Sequence, residues 1–342
     1  MPKSTLETRT FLQELEDEFG DEILGRDSPG EFIPTGSLSM DMSIGKGGIP
    51  VGRYSEIYGS EGSGKTTIAL SIARNAIRMG KKVLYVDAEN MLDMSLVEDI
   101  VGEPFPEEMF SLIQPDTAED ALKIMHKGIV SGEFGLVVLD SIGSLAPEVE
   151  KEKEIDEQQM GTTPKLLAKF FRRSSYALRT MNKTAVLLIN QVRDNIGSYS
   201  KGFTVPGGHA VKHNTSLIIA LTKGQEIKEN NKAIGITTTF VIKKNKLSSP
   251  FRGYEIPIIF GQGIASYKDF VNFSEDIGIL KKAGPYYKFE DEVIGKGVLG
   301  TIEYLKNNQQ TLDKIRQLCY NSVNGNIQLE IKEEEDETDT DD

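Results

Sequence analysis

At 342 residues the chain is long enough to bury a full α/β core and to carry a smaller companion domain. Its single cysteine, Cys319, excludes an intrachain disulfide and suits a reducing cytosol, and with no apolar run near the roughly 20 residues of a membrane helix and no apolar leader, a cytoplasmic protein without membrane contact is expected. The net charge of −13 argues against a nucleic-acid partner only until it is divided, because the last ten residues hold eight acids and no base, which leaves −5 on the other 332.

Leu6 to Phe19 sets Phe11, Leu12, Leu15 and Phe19 on one face and acids on the other, an amphipathic helix. With the Gly-Pro connector that follows, residues 1–34 form a segment whose apolar face must pack on its own domain or on a neighbouring copy. From Thr35 onward strands and helices alternate. Tyr54–Tyr58 reads as a strand, and after a glycine-rich turn Thr66–Met79 places Ile68, Ile72, Ala73, Ala76 and Ile77 at helical spacing until Gly80 stops the run. Lys82–Asp87, Leu136–Asp140 and Ala185–Asn190 are apolar on both faces, which implies a mostly parallel sheet covered by helices such as Thr117–Ser131 and Pro164–Met181. Further strands are expected at Ser216–Leu221 and Ile236–Lys243. The fold class is α/β, with a core over residues 35–270 and a small α+β C-terminal domain over 271–328, where Cys319 is a helical core residue. Residues 329–342 form an acidic tail too poor in apolar side chains to fold, either solubilising or an electrostatic competitor for the protein's own basic sites.

The turn Gly59-Ser60-Glu61-Gly62-Ser63-Gly64-Lys65-Thr66-Thr67 fits the phosphate-binding pattern G-x-x-x-x-G-K-[ST]. Its strand, loop and helix order puts an anion at a helix N-terminus, with Lys65 as a point charge and the Thr66 hydroxyl on a magnesium ion. Asp140 ends its strand as the expected magnesium partner, acting through coordinated water. Asp87, Glu89, Asp140, Asn190 and Gln191 all lie at carboxyl ends of parallel strands and so converge on the loop. Glu89 suits proton removal from a water attacking a γ-phosphate. Two long polar segments, Glu148–Met160 and Asp194–Gly208, read as mobile ligand-touching loops, the second interleaving glycines with Tyr199, Lys201 and Phe203. Gln191 at its root could couple nucleotide to that loop. Lys244 and Lys246 form a basic cluster that could reach a neighbour's nucleotide if copies stack head to tail.

In these stretches the chain resembles the bacterial RecA recombinase family over about Pro34 to Asn326. The likeness also rests on Thr35-Gly36-Ser37-Leu38-Ser39-Met40-Asp41, Gly47-Gly48-Ile49-Pro50-Val51-Gly52-Arg53, Asp87-Ala88-Glu89 with Asp93, and Gln114-Pro115-Asp116-Thr117. Met160-Gly161, Ile189-Asn190-Gln191-Val192-Arg193, Gly207-Gly208 with Lys212, and Lys244-Asn245-Lys246 followed by Pro250-Phe251 continue it.

The resemblance implies a RecA-type P-loop ATPase that uses ATP and Mg2+, forms a helical filament on single-stranded DNA and exchanges strands with homologous duplex. Single-strand-binding or mediator proteins would be its accessory partners. Carried over by position, Glu89 resembles the catalytic base, Gln191 the γ-phosphate sensor, and Lys244 and Lys246, with Lys212, the contacts made in trans. Asp93 and Tyr267 would face the base. Met160, Gly161, Lys165, Arg172, Arg193, Asn195, Gly197, Ser198, Tyr199, Lys201, Phe203, Gly207 and Gly208 would meet DNA. Lys281, Lys282, Lys288 and Lys296 would meet incoming duplex. Leu96 stands where the family has a stacking aromatic, Lys165 replaces an arginine and loses its bidentate fork, and the second loop is one residue short and lacks the family's tip phenylalanine. Such departures suit a divergent or phage-encoded member. A ring helicase of the same fold, or a DNA-coating filament with little hydrolysis, are the rival readings.

Overall fold

The computed structural model describes residues 10–19, 30–102, 105, 107–151, 161–194, 203–204, 206–250 and 252–324. In chain order these give α1 (Phe11–Phe19), β1 (Phe32–Ile33), α2 (Leu38–Ile44), β2 (Ile49–Pro50), β3 (Tyr54–Gly59), α3 (Lys65–Arg78), β4 (Lys82–Asp87), α4 (Met94–Val101), β5 (Phe110–Ile113), α5 (Ala118–Ser131) and β6 (Phe134–Asp140). Then follow α6 (Glu148–Lys151), α7 (Thr162–Met181), β7 (Ala185–Gln191), β8 (Arg193–Asp194), β9 (Phe203–Thr204), α8 (Gly208–Asn214), β10 (Thr215–Glu229), β11 (Lys232–Asn245), β12 (Gly253–Ile259) and β13 (Gly263–Ile264). The last elements are α9 (Ser266–Asp276), β14 (Lys281–Ala283), β15 (Tyr286–Phe289), β16 (Glu292–Lys296), α10 (Gly297–Asn307) and α11 (Gln309–Asn324).

Nine strands make the central sheet in the order β13-β12-β11-β10-β3-β7-β6-β4-β5. The pairs from β10 through β5 are parallel, and β11, β12 and β13 extend the sheet antiparallel. The apolar runs of the sequence fall on these buried central strands, and their side chains alternate between two cores. Val83, Tyr85, Leu136, Val138, Leu187 and Ile189 face α3 and α4, while Leu84, Val86, Val137, Leu139, Val186 and Leu188 face α5 and α7. Burying each such side chain contributes about 1.5–3 kcal/mol. Polar caps fix where the covering helices begin: Thr117 accepts from the Asp120 N–H ahead of α5, and Asp93 accepts from the Ser95 N–H ahead of α4.

Several expected boundaries shift. Ile33 is fully buried and pairs with Ile49, so the end of the 1–34 segment is core rather than linker. β10 and β11 run well past the expected strands, because their polar outer halves pair with each other as a hairpin and not with a core. The expected loop from Glu148 opens with the short helix α6, and residues 152–160 lie outside the described residues. The boundary expected after residue 270 falls inside α9, whose Phe270, Val271 and Phe273 join Tyr287, Leu305, Ile315 and Cys319 in a third core. The acidic tail is outside the described residues.

One buried acid, Asp269, ties the third core to the segment around α2, and a second, Asp41, braces that segment from within. Asp41 of α2 accepts from the Thr35 N–H (2.9 Å) and hydroxyl (2.8 Å). Asp269 of α9 accepts from the Ser37 and Ser39 hydroxyls and the Ser39 N–H. Burial pushes Asp41 up to about 8 and Asp269 up to about 6, against the lowering effect of these bonds.

Candidate nucleotide site and its loops

The loop Gly59–Thr67 leaves the carboxyl end of β3 and turns into α3. Gly64 caps that helix at φ 86°, and a side chain there would drive a Cβ to 2.5 Å from Ile258 Cδ1. At Gly59 a Cβ would lie 2.5 Å from the Leu221 carbonyl oxygen. The loop is braced from within and from β11: the Ser63 hydroxyl donates to Ser60 O at 2.8 Å and the Thr238 hydroxyl to Ser63 O at 3.1 Å. Lys65 Nζ donates to the carbonyls of Gly59 and Ser60 at 3.1 and 2.8 Å, and burial holds its pKa below the ordinary lysine value.

Across the loop, Asp140 Oδ2 accepts from Thr66 Oγ1 and from Tyr85 Oη, each at 2.8 Å. Burial raises the Asp140 pKa to about 6, opposed by these two donors. Tyr85 has no part in the sequence-based expectation. Its signal was a phenol inside an otherwise apolar strand, where a buried hydroxyl must find a partner. A hydroxyl and a carboxylate already in contact are the hard-oxygen donor set a magnesium ion takes, so Thr66 and Asp140 fit that ion.

Asp87 and Glu89 divide their work. Asp87 is buried and accepts from the backbone N–H groups of Glu89, Asn90, Met91 and Leu92 and from the Gln114 amide nitrogen Nε2. It therefore shapes the turn that presents Glu89. Glu89 Oε1 accepts from Ser141 Oγ at 2.8 Å, Ser144 Oγ at 3.2 Å and Gln191 Nε2 at 2.7 Å. Neither serine is recognisable from sequence, since both sit in the turn after β6 with no pattern of their own.

The contact with Gln191 links this carboxylate to the second loop. β8 and β9 pair Arg193 with Thr204 and Asp194 with Phe203, a short ladder at the loop base. Asn190 Nδ2 bridges buried Glu56 (2.9 Å) and the Pro206 carbonyl (2.8 Å), and its Oδ1 accepts from the Gln191 N–H at 3.0 Å. Burial raises the Glu56 pKa. Gly207, at φ 88°, caps α8 beyond that anchor, with Gly208 exposed as the first residue of the helix. Met160, Asn195, Gly197, Ser198, Tyr199 and Lys201 lie outside the described residues. Gly161 caps α7, and Lys165 and Arg172 are exposed on it.

Lys244 and Lys246 do not join their own phosphate loop. Ile218 pairs with both Glu56 of β3 and Lys244 of β11, which sets Lys244 three residues, about 10 Å, down the sheet from Gly59. Its Nζ donates to the Lys212 carbonyl, and burial beside Lys246 and Lys212 holds its pKa down. Both lysines lie toward the sheet edge opposite the loop. Asp93 is exposed at the cap of α4, and Leu96 packs on the first core. The Tyr267 ring lies 5.4 Å from Lys306 Nζ, against the third core. The exposed aromatic near α4 is instead Phe260, in a turn whose Gly261 abuts Asp99.

Comparison with known proteins agrees with this architecture. A family model for the RecA N-terminal domain matches residues 7–265 and one for the RecA C-terminal domain matches 268–324. Protein RecA of Thermus aquaticus is 39% identical over 84% of this chain and 84% of its own length. Protein RecA of Bacillus subtilis (strain 168) is 32% identical over 95% of each. A crystal structure of the RadB recombinase superposes with a TM-score of 0.52 at 23% identity, covering 68% of this chain and 98% of that one, a likeness of fold. Matched in both domains and along nearly its whole length, the chain belongs to the RecA family.

Proposed function

We propose that this chain is an ATP-dependent homologous-recombination protein, a DNA-dependent ATPase that assembles on single-stranded DNA and pairs it with homologous duplex. The observation that carries the reading is the bond from Gln191 to Glu89, which joins the expected base to the root of the second loop. ATP would lie along Gly59–Thr67, its phosphates taken by backbone N–H groups and by Lys65 in place of that lysine's present carbonyl partners. Magnesium would be held by Thr66 and, through water, Asp140, and when bound it supplies charge neutralisation at the phosphates. Glu89, aimed by Ser141 and Ser144, would take the proton of the attacking water. A γ-phosphate competing for the Gln191 amide would free Glu89 and shift the residues that anchor the loop at Asn190 and Pro206. Lys244 and Lys246, at the far sheet edge, would complete the site of a neighbouring copy.

The test is strand exchange between a circular single strand and a homologous linear duplex, with ATP and magnesium. Joint molecules and nicked circles are expected. Directional unwinding without homologous pairing would instead favour a ring helicase, and DNA coating without turnover a mediator.

A further inference from the structure

The phosphate loop has a neighbour that its own sequence pattern does not name. β10 runs beside the loop as it leaves the sheet: the Leu221 carbonyl oxygen lies against Gly59, and two residues further on the Lys223 side chain lies against Gly62. A Cβ on Gly62 would stand 3.6 Å from Lys223 Nζ and 3.9 Å from its Cδ, so the glycine has no side chain to hold the lysine off. Side chains two apart share a face of a strand. Leu221 packs in the first core with α3, which places Lys223 on the same side, beside the turn that enters that helix.

This placement is held from both directions along the strand. Lys223 pairs with Thr238 across the β10 and β11 ladder, and the buried Thr238 hydroxyl donates to the Ser63 carbonyl at 3.1 Å, so the two strands meet adjacent residues of the loop. Directly after Lys223 the register shifts, and the Gln225 N–H turns onto the Thr237 hydroxyl at 2.9 Å. An irregularity of this kind re-aims the side chains beside it. The Lys223 ammonium is exposed and has no acid in ion-pair contact among the described residues, whereas Lys228, further along the same strand, pairs with Glu226 at 3.1 Å.

Within the loop Lys65 is the one cation, and a triphosphate with its divalent ion leaves negative charge that Lys65 alone does not neutralise. A phosphate taken by backbone N–H groups around Gly62 falls within the swing of a four-carbon stem whose ammonium already stands at the loop. We propose that Lys223 is a second cation of the nucleotide site, supplied by the same chain from β10, whose ammonium donates to polyphosphate oxygens held at Gly62. This rests on the reading of Gly59–Thr67 as the ATP site. The contact also ties the base of the β10 and β11 hairpin to the presence of nucleotide, because Lys223 and Thr238 touch the loop together.

The test is a titration of the full chain with fluorescent ADP and with a fluorescent non-hydrolysable ATP analogue, without DNA, over a KCl series. Lys223→Met keeps an unbranched side chain and removes the charge. It should weaken both nucleotides about 10-fold at low salt, the lower end of what a hydrogen bond to a charged group contributes, and the deficit should shrink as KCl rises and screens an exposed charge. Lys223→Arg should recover most of the affinity, and Lys228→Met, which removes the same charge from the same strand, should bind like the parent. Acetylation of surface lysines read by mass spectrometry should show Lys223 protected by bound nucleotide. Parent-like affinity in Lys223→Met would overturn the proposal, and so would equal acetylation of Lys223 with and without nucleotide. Equal losses in Lys223→Met and Lys228→Met would also overturn it, assigning the effect to the charge of the hairpin rather than to a contact. A loss unchanged across the KCl series would overturn it in favour of a packing role. A parent chain that binds neither nucleotide would overturn the reading of the loop itself.

Discussion

Glu89 receives three hydrogen bonds from two separate segments, Ser141 and Ser144 after β6 and Gln191 at the end of β7. That number of donors on one carboxylate oxygen fixes its direction, which is what proton abstraction from a positioned water requires. Glu89→Gln keeps the side chain's size and its oxygen acceptor but removes the base. We expect turnover in the presence of single-stranded DNA to fall about 10²- to 10⁴-fold, while fluorescent-nucleotide titration and anisotropy show ATP and DNA binding intact. Normal turnover would take Glu89 out of the role. At this scale the sequence was legible wherever a residue belongs to a contiguous pattern, as Lys65, Thr66 and Asp140 do. It was silent on Tyr85, Ser141, Ser144 and Asn190's bridge to Pro206, because those roles arise from strand adjacency rather than spacing.

Among the elements, the parallel strands β3, β4, β6 and β7 were read nearly to the residue because a strand buried on both faces has no polar alternation to blur its ends, whereas the half-exposed edge strand β5 was not foreseen. Outer elements were harder. The distal half of β10 carries Lys223, Glu226, Lys228 and Glu229 and pairs with β11 alone, so no hydrophobic period announces it. α2 was equally hidden, since six of its residues are buried and two of those are serines and one an aspartate. Its junction with α9 makes a pH prediction. Asp41 and Asp269 have folded pKa values raised by burial to about 8 and about 6, above the ordinary aspartate value. A raised carboxylate contributes stability that is full below its unfolded pKa and is lost as pH climbs through the folded one. Stability at this junction should therefore decline from about pH 4 to pH 8. Asp41→Asn keeps an acceptor for Thr35 and removes the charge, so its thermal midpoint should fall less than the parent's between pH 6 and pH 9, by at least roughly 3 °C. Equal declines in calorimetry would show that Asp41 does not titrate against folding.

For the whole molecule, the phosphate loop and the lysine pair lie toward opposite edges of one sheet, so the proposed head-to-tail stack of identical copies would bring each loop to the next copy's lysines. A heterologous contact whose rotation does not close would build the proposed filament, and nucleotide at each junction would then set its affinity for DNA. The central claim is this shared site, and complementation measures it. Chains carrying Glu89→Gln and chains carrying Lys244→Ala with Lys246→Ala should each hydrolyse ATP at background on single-stranded DNA. Mixed in equal amounts, random assembly pairs an intact Glu89 with intact lysines at about one junction in four. The account predicts that DNA-stimulated ATP turnover in the mixture rises toward about a quarter of the parent's rate, and turnover that stays at background would contradict it.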